Sequence, residues 1–160
     1  MWTFLGCFLF SFIAMEGVAY ATHRWLMHGP LWNLHASHHR PREHALERND
    51  WFALFFAVPS MTLIALGVYA DRFFLPFGLG MTAYGAVYFL CHDLLVHRRF
   101  SHRFRPRRGY LERIVRAHRI HHRTRERDGA VAFGFLIVPS IARLEATTRG
   151  PARRKTSADA

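Results

Sequence analysis

The stretch FFLPFGLGMTAYGAVYFLCHDLLVH, residues 73–97, decides how the rest of the chain is read. It is uncharged until Asp93, and its two histidines, His92 and His97, come only at its end. As a helix rising about 1.5 Å per residue, an apolar run of this length crosses a bilayer core. Pro76, Gly78, Gly80 and Gly85 sit inside it, which a membrane helix tolerates better than a soluble one. Two comparable runs come earlier: residues 1–22 carry one charge, Glu16, and residues 51–70 carry none. Ala19-Tyr20-Ala21 has the look of a leader cleavage site, but no Lys or Arg precedes the first run, so it reads as a span. A fourth run, 130–142, is short for a span and fits a re-entrant or buried segment as well. The expectation is an all-α integral membrane protein with three to four transmembrane helices and a helical, His-rich cap. Residues 1–145 read as one domain, and 146–160 as a basic, disordered tail.

Charge sorts by segment. The link between runs two and three is essentially Asp71-Arg72, so these runs form a hairpin. Segments 23–50 and 96–128 then share one side and carry four and twelve Arg, against Arg72 alone on the other. The positive-inside rule puts the Arg-rich side in the cytoplasm. The chain has 22 Lys and Arg against 11 Asp and Glu, a net charge of +11. Topology and attraction to anionic membrane lipids account for that excess, and an acidic protein partner is compatible with it. Nucleic-acid binding is not expected of an embedded chain. The two cysteines, Cys7 and Cys91, lie in apolar runs and make no disulfide scaffold.

Ten of the twelve histidines fall in a pattern that occurs twice. His23-x4-His28 is followed by His35-x2-His38-His39, and His92-x4-His97 by His118-x2-His121-His122. Neutral imidazole binds iron, zinc, copper and nickel. On a helix, positions i, i+3 and i+4 share a face, so each triplet reads as a three-point clamp. The x4 pairs point apart on an ideal helix; they bridge two metals, or the helix is deformed there. Ten imidazoles suit two metals with about five nitrogens each, and six-coordinate iron would keep one position open for oxygen. His44 and His102 lie outside the pattern and read as polar anchors. A buffering tract would be contiguous, and these clusters are not.

The order of these boxes resembles the bacterial-type β-carotene 3-hydroxylases of the fatty acid hydroxylase/sterol desaturase superfamily. The resemblance covers about residues 15–135. It rests on Met15-Glu16, on His23-Arg-Trp-Leu-Met-His28-Gly-Pro, and on Leu34-His-Ala-Ser-His-His-Arg-Pro-Arg-Glu43. It continues through Tyr88-Phe-Leu-Cys-His-Asp-Leu-Leu-Val-His-Arg-Arg-Phe100, Ala117-His-Arg-Ile-His-His122 and Gly129-Ala-Val-Ala-Phe-Gly-Phe-Leu136. The resemblance implies hydroxylation of the 3 and 3′ carbons of β-ionone rings, giving β-cryptoxanthin and then zeaxanthin. It implies two non-heme irons, O2, electrons from reduced ferredoxin, and a carotenoid taken from the bilayer. The residues matching its ligand motifs are His23, His28, His35, His38, His39, His92, His97, His118, His121 and His122. It places the chain in a bacterial cytoplasmic membrane with the His clusters facing the cytoplasm.

The reaction type suits the residues. A ring methylene has no acidic proton, so a metal-bound oxidant is needed. Tyr88, Phe89 and Trp25 are candidates for lining the path of an apolar substrate, with membrane packing the ordinary alternative. Asp93 either orients His92 or is a surface charge. Glu16 lies in a span and should have a partner; holding helices together is favoured slightly over tuning the metals. Arg98 and Arg99 read as interfacial anchors, with donor docking the lesser reading. Competing assignments are a fatty-acyl or sterol-like lipid hydroxylase or desaturase, a carotenoid ketolase with the same metal site, and a His-rich metal transporter. The transporter would need polar groups in mid-span, which the first two runs lack apart from Glu16.

Overall fold

The computed structural model describes residues 1–42 and 44–149, and every regular element among them is helical. The elements are α1 (Trp2–Ala21), α2 (Trp32–His35), α3 (Trp51–Tyr69), α4 (Leu75–Phe89), α5 (Gly109–His121) and α6 (Ile141–Arg149). Two are prolonged by π-helical turns, α1 by Thr22–Met27 and α4 by Leu90–Val96. Three helical stretches are long and apolar enough to cross a membrane: Trp2–Met27, Arg48–Tyr69 and Leu75–Val96. Their outward side chains, such as Phe10, Ile13, Phe55 and Met61, are exposed, as lipid-facing residues are.

α4 is the central helix, and α1 and α3 each pack on it. With no hydrophobic drive between helices in lipid, close approach depends on small residues. A Cβ at Gly80 would lie 2.5 Å from the Phe8 carbonyl oxygen of α1, and one at Gly78 would lie 2.8 Å from the Ile64 nitrogen of α3. The glycines that weaken run three as a helix are therefore its packing surfaces. Ser11 Oγ adds a hydrogen bond to the Phe77 carbonyl (2.8 Å) and Ser60 Oγ one to Gly78 (2.9 Å). The hairpin turn is closed by the Phe73 N–H donating to Asp71 Oδ1, 2.8 Å, with Pro76 in the first turn of α4.

The fourth run is not a span. Residues 130–140 are irregular, and the segment is buried rather than membrane-crossing, with Phe135 and Val138 in a core made with Ile114, Ala117 and Ile120 of α5 and Leu144 of α6. Thirteen residues are too few to cross, and the irregular backbone is satisfied by the protein around it. Glu16 supplies that satisfaction. Its buried carboxylate accepts the backbone N–H groups of Phe135 (2.8 Å), Leu136 (3.0 Å) and Ile137 (2.9 Å) and the Tyr84 hydroxyl (2.7 Å). One side chain thus fixes α1, α4 and the segment before α6. None of these bonds is to a histidine, and all of them join segments of the fold, as the structural expectation has it. α6 includes residues 146–149; the remainder of the expected tail, 150–160, lies outside the described residues, as does Glu43.

Candidate metal centre

Both x4 pairs sit on the π-helical turns. The His28 N–H donates to the His23 carbonyl at 3.0 Å, and the His97 N–H to His92 at 2.9 Å. In an i→i+5 turn, residues five apart stand one above the other, so each pair shares a face. The ring centroids lie 5.3 Å apart in the first pair and 4.5 Å in the second. The deformed helix is therefore the correct alternative for the x4 spacing.

The ten imidazoles form two groups. His23, His28, His35, His39 and His121 bring their ligand nitrogens within 4.8 Å of one another, and His38, His92, His97 and His118 do the same. His122 joins the second group through His118, with Nε2 atoms 2.8 Å apart. Neither triplet gathers its three rings in one group, so the three-point clamp expected of each is divided between the two groups. Along a helix, i and i+4 are about 40° apart, whereas i+3 lies about 60° to the other side of i. So at the end of α5 His118 and His122 stay together and His121 crosses to the first group; α2 ends at His35, and in the turns that follow it His39 stays with His35 while His38 crosses to the second group.

Seven of the rings have Nδ1 tied to an oxygen. His23 donates to the Phe133 carbonyl (3.0 Å), His28 to Arg127 (2.8 Å), His39 to Thr124 (2.9 Å) and His121 to Val131 (2.8 Å). Ala132, between two of these carbonyls, takes a left-handed backbone with φ 63°. His35 donates to Asn49 Oδ1 (2.7 Å), His38 to Glu47 Oε2 (3.0 Å) and His92 to Asp93 Oδ2 (3.2 Å). Carbonyls and carboxylates only accept, so the neutral imidazole proton sits on Nδ1 and the Nε2 lone pair is free. Those lone pairs converge: His23 on His35 at 3.2 Å, His28 on His121 at 3.3 Å, His38 on His92 at 3.0 Å. Facing lone pairs repel unless a cation lies between them. The donor set therefore fits two metal ions, and the Nδ1 partners are the usual outer ring of such a site. The donors are all nitrogen, since neither cysteine belongs to a group.

Seven of the rings are held neutral. Burial lowers His35 to about 3 and His39 to about 4, and burial with the neighbouring His92 lowers His97 to about 2. Burial first, then adjacent imidazoles, also pushes His38, His118, His121 and His122 far below the ordinary range. Neutral imidazole is the metal-binding form.

Other expectations resolve at the same site. Asp93 holds His92 and also accepts from Arg99 (3.0 Å). Arg99 is not a free interfacial anchor, because its guanidinium bridges Asp93 and Asp50 and ties the end of the third apolar stretch to the start of the second. His102 donates to the Leu94 carbonyl at 2.7 Å, and neither it nor His44 belongs to a metal group. Glu47, Asn49, Phe133 and Phe135 escaped the sequence reading. The only signal for the first two is the charged run 47–50 abutting an apolar helix. Phe133 packs on His23, His28 and His121, and Phe135 on His92 and His118.

The metal groups border a cavity of about 1040 Å³. It lies between α1 and α3, over α4, with Ala19, Ala57, Met81 and Gly85 along it and His23, His92 and His118 at the site end. Tyr88 and Phe89 line it as expected. Trp25 does not; it is exposed and packs on Tyr20.

A buried, nitrogen-only pair of metal sites on three apolar helices defines a class, and sequence comparison agrees. A family model described as fatty acid hydroxylase matches residues 8–141, and the chain belongs to that family. Within it, the chain is 47% identical over 134 residues to a beta-carotene hydroxylase of Paracoccus sp. (strain PC1), covering 83% of each chain. It is 46% identical over 149 residues to a beta-carotene hydroxylase of Pantoea ananas, covering 93% of this chain and 85% of that one. A chloroplastic beta-carotene 3-hydroxylase of an Oncidium hybrid cultivar is 42% identical over 131 residues, 79% of this chain and 42% of that longer protein. No solved structure matches.

Proposed function

We propose that this chain is a membrane β-carotene 3-hydroxylase. It adds a hydroxyl to each β-ionone ring, giving β-cryptoxanthin and then zeaxanthin. The observation that carries this is the pair of imidazole groups at one end of a long apolar cavity. The relatives named above support the substrate. So does the cavity wall, where several polar groups are already paired among themselves. Ser60 and Thr82 hydroxyls bond the Gly78 carbonyl, Tyr84 bonds Glu16, and Arg99 bridges two aspartates. A hydrocarbon with no polar handle suits such a wall better than a fatty acid does.

In this reading His23, His28, His35, His39 and His121 hold one iron, and His38, His92, His97, His118 and His122 the other. What bound iron supplies is activation of O2 against a C–H bond that side-chain acids and bases cannot attack. The protein does the rest. Nδ1 partners fix seven of the ten rings, and Phe133, Phe135 and Tyr88 pack against the rings and exclude water. The cavity presents one end of the carotenoid to the metals while the polyene runs along α3 and α4. The balance R–H + O2 + 2 e⁻ + 2 H⁺ → R–OH + H2O needs two electrons, supplied by a ferredoxin-type donor. The Arg-rich, His-bearing end faces the cytoplasm, residues 1–145 form the hydroxylase domain, and the carotenoid arrives from the bilayer.

Pigment analysis of bacterial cells that accumulate β-carotene tests this. Hydroxylated products are expected with the chain and absent without it. Keto products would overturn the hydroxylase assignment, and unchanged β-carotene with the protein in the membrane would overturn the substrate.

Gly85 tests the cavity separately. A Cβ there would meet nothing within 4 Å, so a larger side chain would occupy the cavity instead of disturbing a neighbour. Gly85→Phe is expected to lower product at least about tenfold, a loss of binding worth about 1.4 kcal/mol, with metal content at the parent level. Full activity in that variant would exclude the cavity as the substrate site.

A further inference from the structure

The imidazole groups have a second opening. A recess of about 300 Å³ reaches them with His97, His118 and His122 at its floor and Arg40, Arg119 and Arg125 at its rim. It shares only His118 with the apolar cavity. Its sole residue from a membrane-length stretch is Val96, the last residue of one, so the recess opens toward water and not toward lipid. The three arginines are exposed, and among the described residues the arginine ion pairs are made by Arg42, Arg99, Arg116 and Arg127 instead. Glu126 adjoins Arg125, and Asp128 is taken up by Arg127, 3.5 Å away. His97 and His122 are half-buried, so a surface seated here would be one imidazole away from the metals.

We infer that this recess is the docking place of an acidic one-electron carrier protein, with Arg40, Arg119 and Arg125 as its charge partners. The inference rests on the hydroxylase reading, which requires two electrons per turnover. Substrate occupies the apolar opening, so the electrons need the other one. Three exposed cations, without an ion pair among the described residues, round a passage to the imidazole groups would steer an acidic surface to that spot and orient it. A lipid headgroup is the less suitable occupant, because Val96 alone of the lining residues belongs to a membrane-length stretch.

The test is direct binding. The metal-loaded, detergent-solubilised full chain is titrated with a purified acidic [2Fe–2S] ferredoxin at low and high salt. The triple variant Arg40→Glu, Arg119→Glu, Arg125→Glu is compared with a control, Arg103→Glu, Arg105→Glu, Arg107→Glu, which reverses three exposed charges off the rim. The rim variant is expected to bind at least about tenfold more weakly at low salt, and the parent's affinity to fall with salt. Metal content and Km for carotenoid are expected to stay at parent values, and the control to bind like the parent. Equal weakening in both variants would overturn the inference, as would no effect at the rim or no binding by the parent. Rim-dependent loss of binding to vesicles of anionic lipid, with ferredoxin affinity unchanged, would overturn it in favour of a membrane contact. Arg-dependent ferredoxin binding without carotenoid turnover would sink the hydroxylase reading and leave the docking site standing.

Discussion

A His121→Ala chain is expected to hold about one metal ion where the parent holds two, and to lose hydroxylation by more than about a hundredfold. Changing outer partners of metal ligands commonly costs 10–100-fold, and removing a ligand costs more. The informative comparison is between double variants. His35 and His121 belong to the same group although they lie in different halves of the chain. His118 and His121 belong to different groups although they lie in one helical turn. Combining His121→Ala with His35→Ala should still leave about one ion; combining it with His118→Ala should leave almost none. Metal analysis of the purified variants reads this directly. If the 118/121 variant keeps one ion and the 35/121 variant none, the grouping is wrong and each triplet serves its own metal.

Glu16→Ala is expected to lower stability by about 3–5 kcal/mol, among the larger single effects available to a side chain. It would leave three backbone N–H groups and the Tyr84 hydroxyl without their acceptor at a buried site. An unsatisfied buried group costs about 1–3 kcal/mol, and partial rearrangement keeps the sum below four full penalties. The damage should also travel. The freed segment contains Phe133, whose carbonyl fixes His23, and continues to Val131, whose carbonyl fixes His121. Metal loss should therefore begin at the first group. Tyr84→Phe removes one of the four donors and should cost about 1 kcal/mol. Thermal unfolding in detergent, followed together with metal content, checks both. A Glu16→Ala chain as stable as the parent would show that the segment is held by its apolar contacts alone.

The sequence made the spans and the set of histidines that converge legible, because both are written locally. A bilayer demands a continuous apolar run, and ten histidines in a repeated spacing have no structural use. Partition of those ligands was less accessible. The x4 pairs needed a π-helical turn, which nothing in Thr22–Met27 or Leu90–Val96 announces. Splitting the second triplet follows from helix geometry, but only once two groups flank α5; the first lies in turns beyond the end of α2. Glu47 and Asn49 lie nine and fourteen positions from their histidines, a distance that local pattern does not encode. Glu16 was readable as a residue needing a partner, yet its partners lie about 120 positions away. Gly78 and Gly80 looked like tolerated flaws in a helix; their role depends on which helices lie beside them.

Exchange of His38 for His121 gives the two halves of the chain the logic of an isologous pair, in which what one partner contributes it receives back in kind. Neither half completes an imidazole group with its own residues alone. Glu47 and Asn49, two positions apart, orient His38 and His35 and so address one group each. A shift of that single short loop would be registered at both groups at once.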